Sequence, residues 1–420
     1  MAAIGSSIFA RAAATLSKTA LHNFHVSTLG AKMIPFAGYS MPLVYEGQGQ
    51  VASHLWTRES ASLFDVSHMG QLMVHGPDRV AFMERCCVAD LESLPPGASC
   101  LSVITTSDGG ILDDCLITNA GRCLFVVLNA GNKARVMTHL EARRFAAGQS
   151  AFDQSQPLFD ASLESWSTRS LLAVQGPKSG LALQRFMPDG FDLKRMPFMT
   201  STLGDVAGGG NGHVKWGGGQ HEVVVSRCGY TGEDGFELSM CDTAAVAVVT
   251  QLLQEPEVKA AGLAARNSLR LEAGLCLHGH DIVDETTPAE GGLAWCVSKA
   301  RRSGARANFI GADVVLRQLG GTNAEQPVQR KRVGLTVVQE NCPPVREGTK
   351  LFAADGETPV GTITSGGSAP SLNGTAIAMG MVKRGYFRAG TQLKALKNKS
   401  LVDVVVTAMP FVPSKVRPKW

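Results

Sequence analysis

No run of about 18 apolar residues occurs anywhere in the chain, which excludes a conventional membrane-spanning helix. The nearest approach, Ala244–Leu253, is too short. No Asp or Glu stands before Glu46. The opening MAAIGSSIFARAAATLSKTA is rich in Ala and Ser, with Arg11 and Lys18 as its only charges. That is the composition of an organellar transit peptide, a cationic amphipathic helix that is later removed, although an ordinary N-terminal helix shares it. The ten cysteines form no CxxC, a pattern that suits free thiols in a reducing compartment rather than a disulfide frame or a zinc site. His278 and His280 flank one glycine with no third ligand nearby in the sequence, so no metal is expected. There is no GK[ST] phosphate loop, no GxGxxG between a strand and a helix, and no GxSxG elbow. The usual nucleotide-binding and serine-hydrolase signatures are therefore missing.

What is present is a long and nearly neutral chain. Hydrophobic residues make up 44% and charged residues 18% of its 420 positions, enough to bury the cores of two or three domains. A net charge of +4 is too mild for a nucleic-acid footprint. The basic residues gather at Lys299–Arg302 and Arg330–Arg332. Each cluster is either a solvated face or a docking surface for an acidic partner.

A faint echo recurs a hundred residues apart. LMVHGPDRVAFMER (72–85) and LAVQGPKSGLALQR (172–185) share a strand-like run, a Gly-Pro and a helical pattern. Pro77 and Pro177 are expected at first helical positions, where a missing N–H costs nothing. Ile111–Thr118 and Cys123–Asn129 read as a hairpin joined at NAGR. Residues 207–219, AGGGNGHVKWGGG, read as a mobile loop. AGLAARNSLRLEAGL (261–275) has helical composition and sets Arg266 and Arg270 on one face. After about residue 325, six short strand candidates separated by Gly, Pro and Asn turns indicate a small all-β barrel or sandwich.

Three stretches carry chemistry. DGGILDDC (108–115) sets Asp113 and Asp114 inside an apolar strand. Successive strand side chains face opposite ways, so the two acids should not share an environment. Both faces are otherwise apolar, so parity does not choose between them. The acid that lies inside loses solvation, gains a raised pKa and becomes a proton acceptor near neutrality; alternatively, both cap the preceding Gly-Gly turn. RCGYTGEDGFE (227–237) reads as a strand, a tight turn and a second strand, with Tyr230 and Glu237 bracketing the turn. A carboxylate beside a tyrosine there suits the donor edge of a heterocycle, or the acid is structural. FDVSHMGQ (64–71) brings Asp65, Ser67 and His68 together, but neighbours on a strand point apart and a triad is not expected.

Together these segments resemble the aminomethyltransferase, or T-protein, family of the glycine cleavage system. The matching stretches include GAKMIPFAGYSMPLVY, LFDVSHMGQ, GGILDDCLIT, VVLNAGNK, RCGYTGEDGFELS, AGLAARNSLRLEAGLCLHGHDI, TTPAEGGLAW, ITSGGSAPSL and MPFVP, in family order from about residue 17 onward. The resemblance implies an α+β, three-domain fold, with two mixed α/β domains and a C-terminal β-barrel around a central channel. The implied division is a transit peptide over 1–16, then 17–72 with 156–260, 73–155 with 261–324, and 325–420. It implies a mitochondrial matrix enzyme and no nucleic-acid or membrane partner. The implied reaction takes an aminomethyl group from the lipoyl arm of an acidic carrier, the H-protein. Tetrahydrofolate, a co-substrate, accepts the methylene; 5,10-methylenetetrahydrofolate, ammonia and dihydrolipoyl carrier remain.

By position, the catalytic aspartate of the family is Asp114, accepting the proton of the attacking folate amine. Asp113 is left as a turn or surface acid. Asn129, Tyr230, Glu237, Arg266, Trp295 and Tyr386 match folate contacts. The basic clusters, with Lys415, Arg417 and Lys419, become candidates for docking the carrier. Three features depart from the family: Asn267 stands where an aspartate beside Arg266 is usual, HGHD replaces Tyr-Gly-Asn-Asp, and the 207–219 stretch is long. The competing readings are a folate-binding accessory protein of the same fold without transferase activity, the folate-binding half of a flavin-dependent oxidase, and a pure binding module. The first carries a Lys-Gly-Cys-Tyr-x-Gly-Gln signature that RCGYTGEDG does not match, and the second needs a dinucleotide-binding domain that is missing.

Overall fold

The computed structural model describes residues 15–145, 158–204, 212–219, 221–320, 324–339 and 342–416. The leader expected over 1–16 lies outside them except for its last two positions.

Two large sheets and a two-stranded hairpin, Ala31–Phe36 with Tyr39–Tyr45, lie in the first three-quarters of the chain. The larger is seven-stranded, running in space Thr200–Ser201, Glu222–Arg227, Gly235–Cys241, Arg169–Gln175, Ala61–Asp65 and Val258–Ala260, with Val214–Lys215 added against Glu222–Arg227. Only Val258–Ala260 pairs in parallel. The smaller is a five-stranded antiparallel sheet, in the order Ser99–Thr105, Ile111–Asn119, Leu124–Leu128, Gly70–His75 and Ser162–Ser165. The boundary drawn between 72 and 73 thus falls inside one strand of this sheet. Ser162–Ser165, grouped in the sequence with the first unit, pairs here as well.

The two sheets meet through Phe64, Leu171, Ala173 and Val224 of one and Met73, Phe125 and Val127 of the other. Their apolar residues continue into Ala265 and Leu269 of the helix Leu263–Glu272. Two residues on, and so on the opposite side of the helix, Leu271 packs on Ala369, Ile377 and Met379 of the C-terminal unit. One amphipathic helix therefore touches all three units, which places it at the centre. The C-terminal unit is a closed six-stranded barrel, Arg330–Val337, Lys350–Ala353, Pro359–Ala369, Thr375–Lys383, Gln392–Lys397 and Ser400–Thr407. Its inward positions (Val333, Leu335 and Val337 on one strand, Val402, Val404 and Val406 on another) show the two-residue period that signalled strands in the sequence.

The two echoing segments are strand-to-helix corners, one in each sheet: Gly70–His75 into Arg79–Cys86, and Arg169–Gln175 into Ser179–Gln184. Pro77 and Pro177 sit one residue before the cap positions Asp78 and Lys178, not at the first helical position. The repeated element is the glycine before each proline. Gly76 has φ +100° and Gly176 φ +128°, and a Cβ at either would lie 2.2 Å from a backbone carbonyl oxygen, that of Asp160 or Ser60. Only glycine fits such a corner. In the Gly-rich stretch, residues 207–211 are outside the described set, but Trp216 is buried and stacks on Phe186 at 4.7 Å between ring centroids. The described part is anchored, not mobile, because its tryptophan closes the larger core.

A buried ion cluster ties the units together. Arg58 bonds Glu272 at 2.8 Å and Glu233 at 3.0 Å, and His54 bonds the Glu272 carboxylate at 3.0 Å. Ser371, beside the barrel, donates its N–H to the other Glu272 oxygen, and Lys415 of the C-terminal tail reaches Glu233 at 3.1 Å.

Candidate functional site

A cavity of about 1970 Å³ opens where the two sheets, the central helix and the barrel meet. Asp114, Asn129, Tyr230, Glu237, Arg266 and Trp295 all line it. They come from four separate parts of the chain, and the fold alone brings them together. Tyr386 does not join them: it packs on the barrel core, and its neighbour Phe387 lines the cavity instead.

The Asp pair lies just after a β-bulge. Ile104 pairs with Asp113 and Thr105 with Ile111, so Leu112 is the extra residue. Asp114 is half-buried and reaches the cavity, whereas Asp113 is fully buried and does not line it. This corrects the reading of Asp113 as a turn or surface acid. Strand parity also fails to separate the two carboxyls electrically. Asn129, just past the strand Leu124–Leu128, donates its side-chain amide to Asp114 Oδ1 at 2.7 Å and to Asp113 Oδ1 at 2.8 Å. Burial, and then the neighbouring Asp114 charge, pushes the Asp113 carboxyl up to about 8. Burial also raises Asp114, against the pull of His278 and the Asn129 bond. His278 comes from the HGHD segment and lines the cavity.

The hairpin Glu222–Arg227 to Gly235–Cys241 supplies the second group of residues. Glu237 sits mid-sheet, opposite Ser226 and Ala173, and is held by the Cys228 thiol. Burial raises its carboxyl while Arg266 opposes the shift. Arg266 projects from the central helix, with its guanidinium 5.1 Å from the Tyr230 ring centroid. Its Nη1 is buried and has no hydrogen-bond partner among the described residues. Tyr230 donates its hydroxyl to the Cys276 carbonyl, and burial pushes its pKa up. A buried carboxyl, a guanidinium and a tyrosine face at one end are suited to a flat polar heterocycle.

Asn267 does not orient Arg266. It accepts from Arg270 Nε at 2.9 Å, and Arg270 in turn pairs with Asp281 at 2.7 Å and donates to Ser365 at 2.9 Å. Asp281 also accepts from Leu277 N–H and from Thr364. The Asp of HGHD therefore clamps the central helix to the barrel, and the Asn for Asp change leaves that clamp intact. His280 pairs with the exposed Glu347 instead.

FDVSHMGQ is no triad. Asp65 accepts from His25 at 3.0 Å and from Thr19 at 2.7 Å. His68 points away from that network, lines the cavity, and is pushed down to about 4, chiefly by burial. Each basic cluster hides one arginine, while Lys299, Arg302 and Lys331 are exposed and Arg330 is half-buried. Arg301 is fully buried, bonding the Ala89 carbonyl and pairing with Glu84 at 2.9 Å. Arg332 is buried on the cavity wall, bonding the Gly291 and Gly274 carbonyls. Arg417 and Lys419 lie outside the described residues. His68, Arg135, His278 and Arg332 line the cavity without having been singled out for it. Arg332 in particular is hidden in a sequence, because its partners are backbone carbonyls.

Residues 21–301 match the family model described as the GCVT N-terminal domain, and residues 330–413 match that of the glycine cleavage T-protein C-terminal barrel domain. The mitochondrial aminomethyltransferase of Dictyostelium discoideum is 41% identical, over 96% of this chain and 94% of that protein. The human mitochondrial aminomethyltransferase is 42% identical, over 95% and 91%. The crystal structure of the glycine cleavage system aminomethyltransferase T from Bartonella henselae superposes with a TM-score of 0.82 at 35% identity, covering 96% of this chain and 99% of that one. With both family domains present in order and relatives aligned nearly end to end, this chain belongs to the T-protein family of the glycine cleavage system.

Proposed function

We propose that tetrahydrofolate occupies the cavity with its reacting amine at Asp114, and that this is how the chain, an aminomethyltransferase of the glycine cleavage system, performs its transfer. The observation that carries the reading is the raised, cavity-facing Asp114 carboxyl bonded to Asn129. A carboxylate whose proton affinity is raised toward neutrality is a competent acceptor. One folate nitrogen forms its bond to the methylene carbon as that carbon breaks from its first leaving group, and the second folate nitrogen closes the 5,10 bridge as the other leaves. The two N–H protons given up, one of them by way of Asp114, end on the departing ammonia and on the lipoyl sulfur, so the carrier leaves as dihydrolipoyl.

Glu237 accepts from the donor edge of the pterin, and Arg266, with its buried Nη1 unpaired, supplies a donor to the same ring system. Trp295, 64% exposed at the rim, covers the outer part of the ligand. An acidic lipoyl carrier is the partner this reaction needs. The relatives are named mitochondrial, and the acid-free opening of the sequence agrees with a matrix enzyme. The accessory-protein alternative draws no support, because the aligned relatives are named aminomethyltransferases.

The test is an assay with aminomethylated lipoyl carrier and tetrahydrofolate. Ammonia and 5,10-methylenetetrahydrofolate should appear together in equal amounts. If neither rises above the background without enzyme, the reading is wrong.

A further inference from the structure

Asp113 poses a problem that the transfer reaction, as described so far, does not solve. Other buried carboxylates of this fold sit against cationic or ring nitrogen partners: Asp65 on His25, Glu272 on Arg58 and His54, Asp281 on Arg270. Asp113 is buried as completely, yet its hydrogen-bond partners are neutral amides, Asn129 above all and Asn132 beside it. A carboxyl buried without a cation is costly, and a strand whose task is packing gains nothing from it.

The geometry around it is specific. The Asn129 backbone N–H donates to Asp113 Oδ2 at 3.2 Å, and its side-chain amide to Asp113 Oδ1 at 2.8 Å. The same amide nitrogen donates to Asp114 Oδ1 at 2.7 Å and to the Asp114 carbonyl at 3.1 Å. An amide nitrogen has two hydrogens. With one committed to Asp113 on the buried side, the other is left for Asp114 on the cavity side.

We propose that Asp113 is a positioning residue of the transfer reaction: it grips Asn129 from the buried side, so that the amide presents a fixed donor to the cavity-facing Asp114 carboxylate. This rests on the reading of Asp114 as the proton acceptor. The charged and titratable groups around Asp113 are few. Asp114 and Cys115 flank it on its own strand, and Arg135 approaches from the helix Lys133–Arg143 but is paired with Asp284. His278 lies beyond Asp114. Burial keeps the Cys115 thiol protonated. The largest electrostatic influence on Asp113 is therefore Asp114: the two carboxyls resist ionising together, and Asp113 holds its proton up to about pH 8. Above about pH 8 Asp113 also ionises. Both carboxylates then compete for one amide, and the grip that favours Asp114 is lost.

The experiment compares wild type, Asp113→Asn and Asp114→Asn as full chains, with aminomethylated lipoyl carrier and tetrahydrofolate, from pH 5.5 to 9.5. Asn at 113 is isosteric but offers one acceptor where Asp offers two, so it loosens Asn129 without emptying the site. We expect Asp113→Asn to lower kcat roughly 10- to 100-fold, the scale of a small misplacement. KM for folate should stay within about twofold, because Asp113 does not touch the cavity. The wild-type alkaline limb of kcat/KM beginning near pH 8 should disappear in this variant. A merely structural residue would change stability and leave that limb in place. Wild-type kcat with an unchanged limb in Asp113→Asn overturns the positioning role. Should that variant fail to fold, carbon-13 NMR of aspartate-labelled wild type decides: an Asp carboxyl titrating near pH 8 in step with kcat/KM supports the role, and no Asp titrating above pH 6 refutes it. Full activity in Asp114→Asn would instead remove the acceptor reading itself, whatever Asp113 does.

Discussion

Two buried carboxyl assemblies of this protein lie under similar burial and behave in opposite ways. In the interdomain cluster, burial raises the Glu272 carboxyl, but bonds from His54 and Ser371 and the His54 charge outweigh it and bring it down to about 2. In the Asp113–Asn129–Asp114 group the partners are amides, burial dominates, and both carboxyls rise. Burial alone does not decide what a carboxylate is for; the charge of its neighbours does. The first assembly joins a helix, the barrel and the C-terminal tail, and the second faces a cavity. One joins parts of the fold, and the other keeps raised proton affinity at the cavity where the proposed proton transfer takes place.

The comparison can be broken at either end. The largest effect is expected at Asp114, where Asp114→Asn should cost about 10²- to 10⁴-fold in kcat, the range for loss of a proton-transfer group. Steady-state ammonia release gives that number. On the structural side, Arg58→Met leaves Glu272 and Glu233 without their shared cation. Removing one partner of a buried pair costs roughly 3–5 kcal/mol, read as a shift in the urea midpoint with activity per folded molecule little changed.

The two assemblies should also respond to pH with opposite signs. The depressed Glu272 contributes stability that is present above its unfolded value of 4.5 and lost as pH falls toward about 2. The raised Asp113 contributes most below its unfolded value of 3.8, and that contribution is lost as pH rises toward about 8. Unfolding free energy measured from pH 3 to 9 should therefore rise less steeply between pH 3 and about 4.5 in Glu272→Gln, and fall less between about pH 4 and 8 in Asp113→Asn. Smaller still is Glu237→Gln, which weakens one hydrogen bond to a charged acceptor, worth about 1.5–3 kcal/mol; the folate Kd should rise by one to two orders of magnitude. Trp295→Ala is the mildest. At 64% exposure its loss should change stability by less than about 0.5 kcal/mol, checked by thermal melting.

The barrel was readable from its short strands and turns, since a two-residue apolar period leaves a local trace. The Tyr230–Glu237 hairpin was equally local. The role of Asp114 was not: strand parity left the pair undecided, and the family resemblance named it. Parity then misplaced Asp113, because Leu112 is bulged and Asn129 comes from the neighbouring strand to bond both acids. Within the basic clusters, two arginines were hidden for a related reason. Arg301 and Arg332 find backbone carbonyls as acceptors, and a charge count does not register carbonyls. Tyr386 was carried over by position and belongs to the barrel core one residue away from the cavity wall. Residues on long-range pairings are the ones a linear pattern sees least.

In the proposed reaction Asp114 takes the folate proton, Asn129 and Asp113 hold its carboxylate in place, and Glu237, Arg266 and Trp295 hold the ligand. The most direct measurement pairs folate Kd by calorimetry with single-turnover ammonia release, for wild type and Asp114→Asn. Asp114→Asn should keep a Kd within about threefold of wild type and release ammonia at least about 100-fold more slowly. Release at the wild-type rate from a variant that binds folate normally would contradict the acceptor role of Asp114.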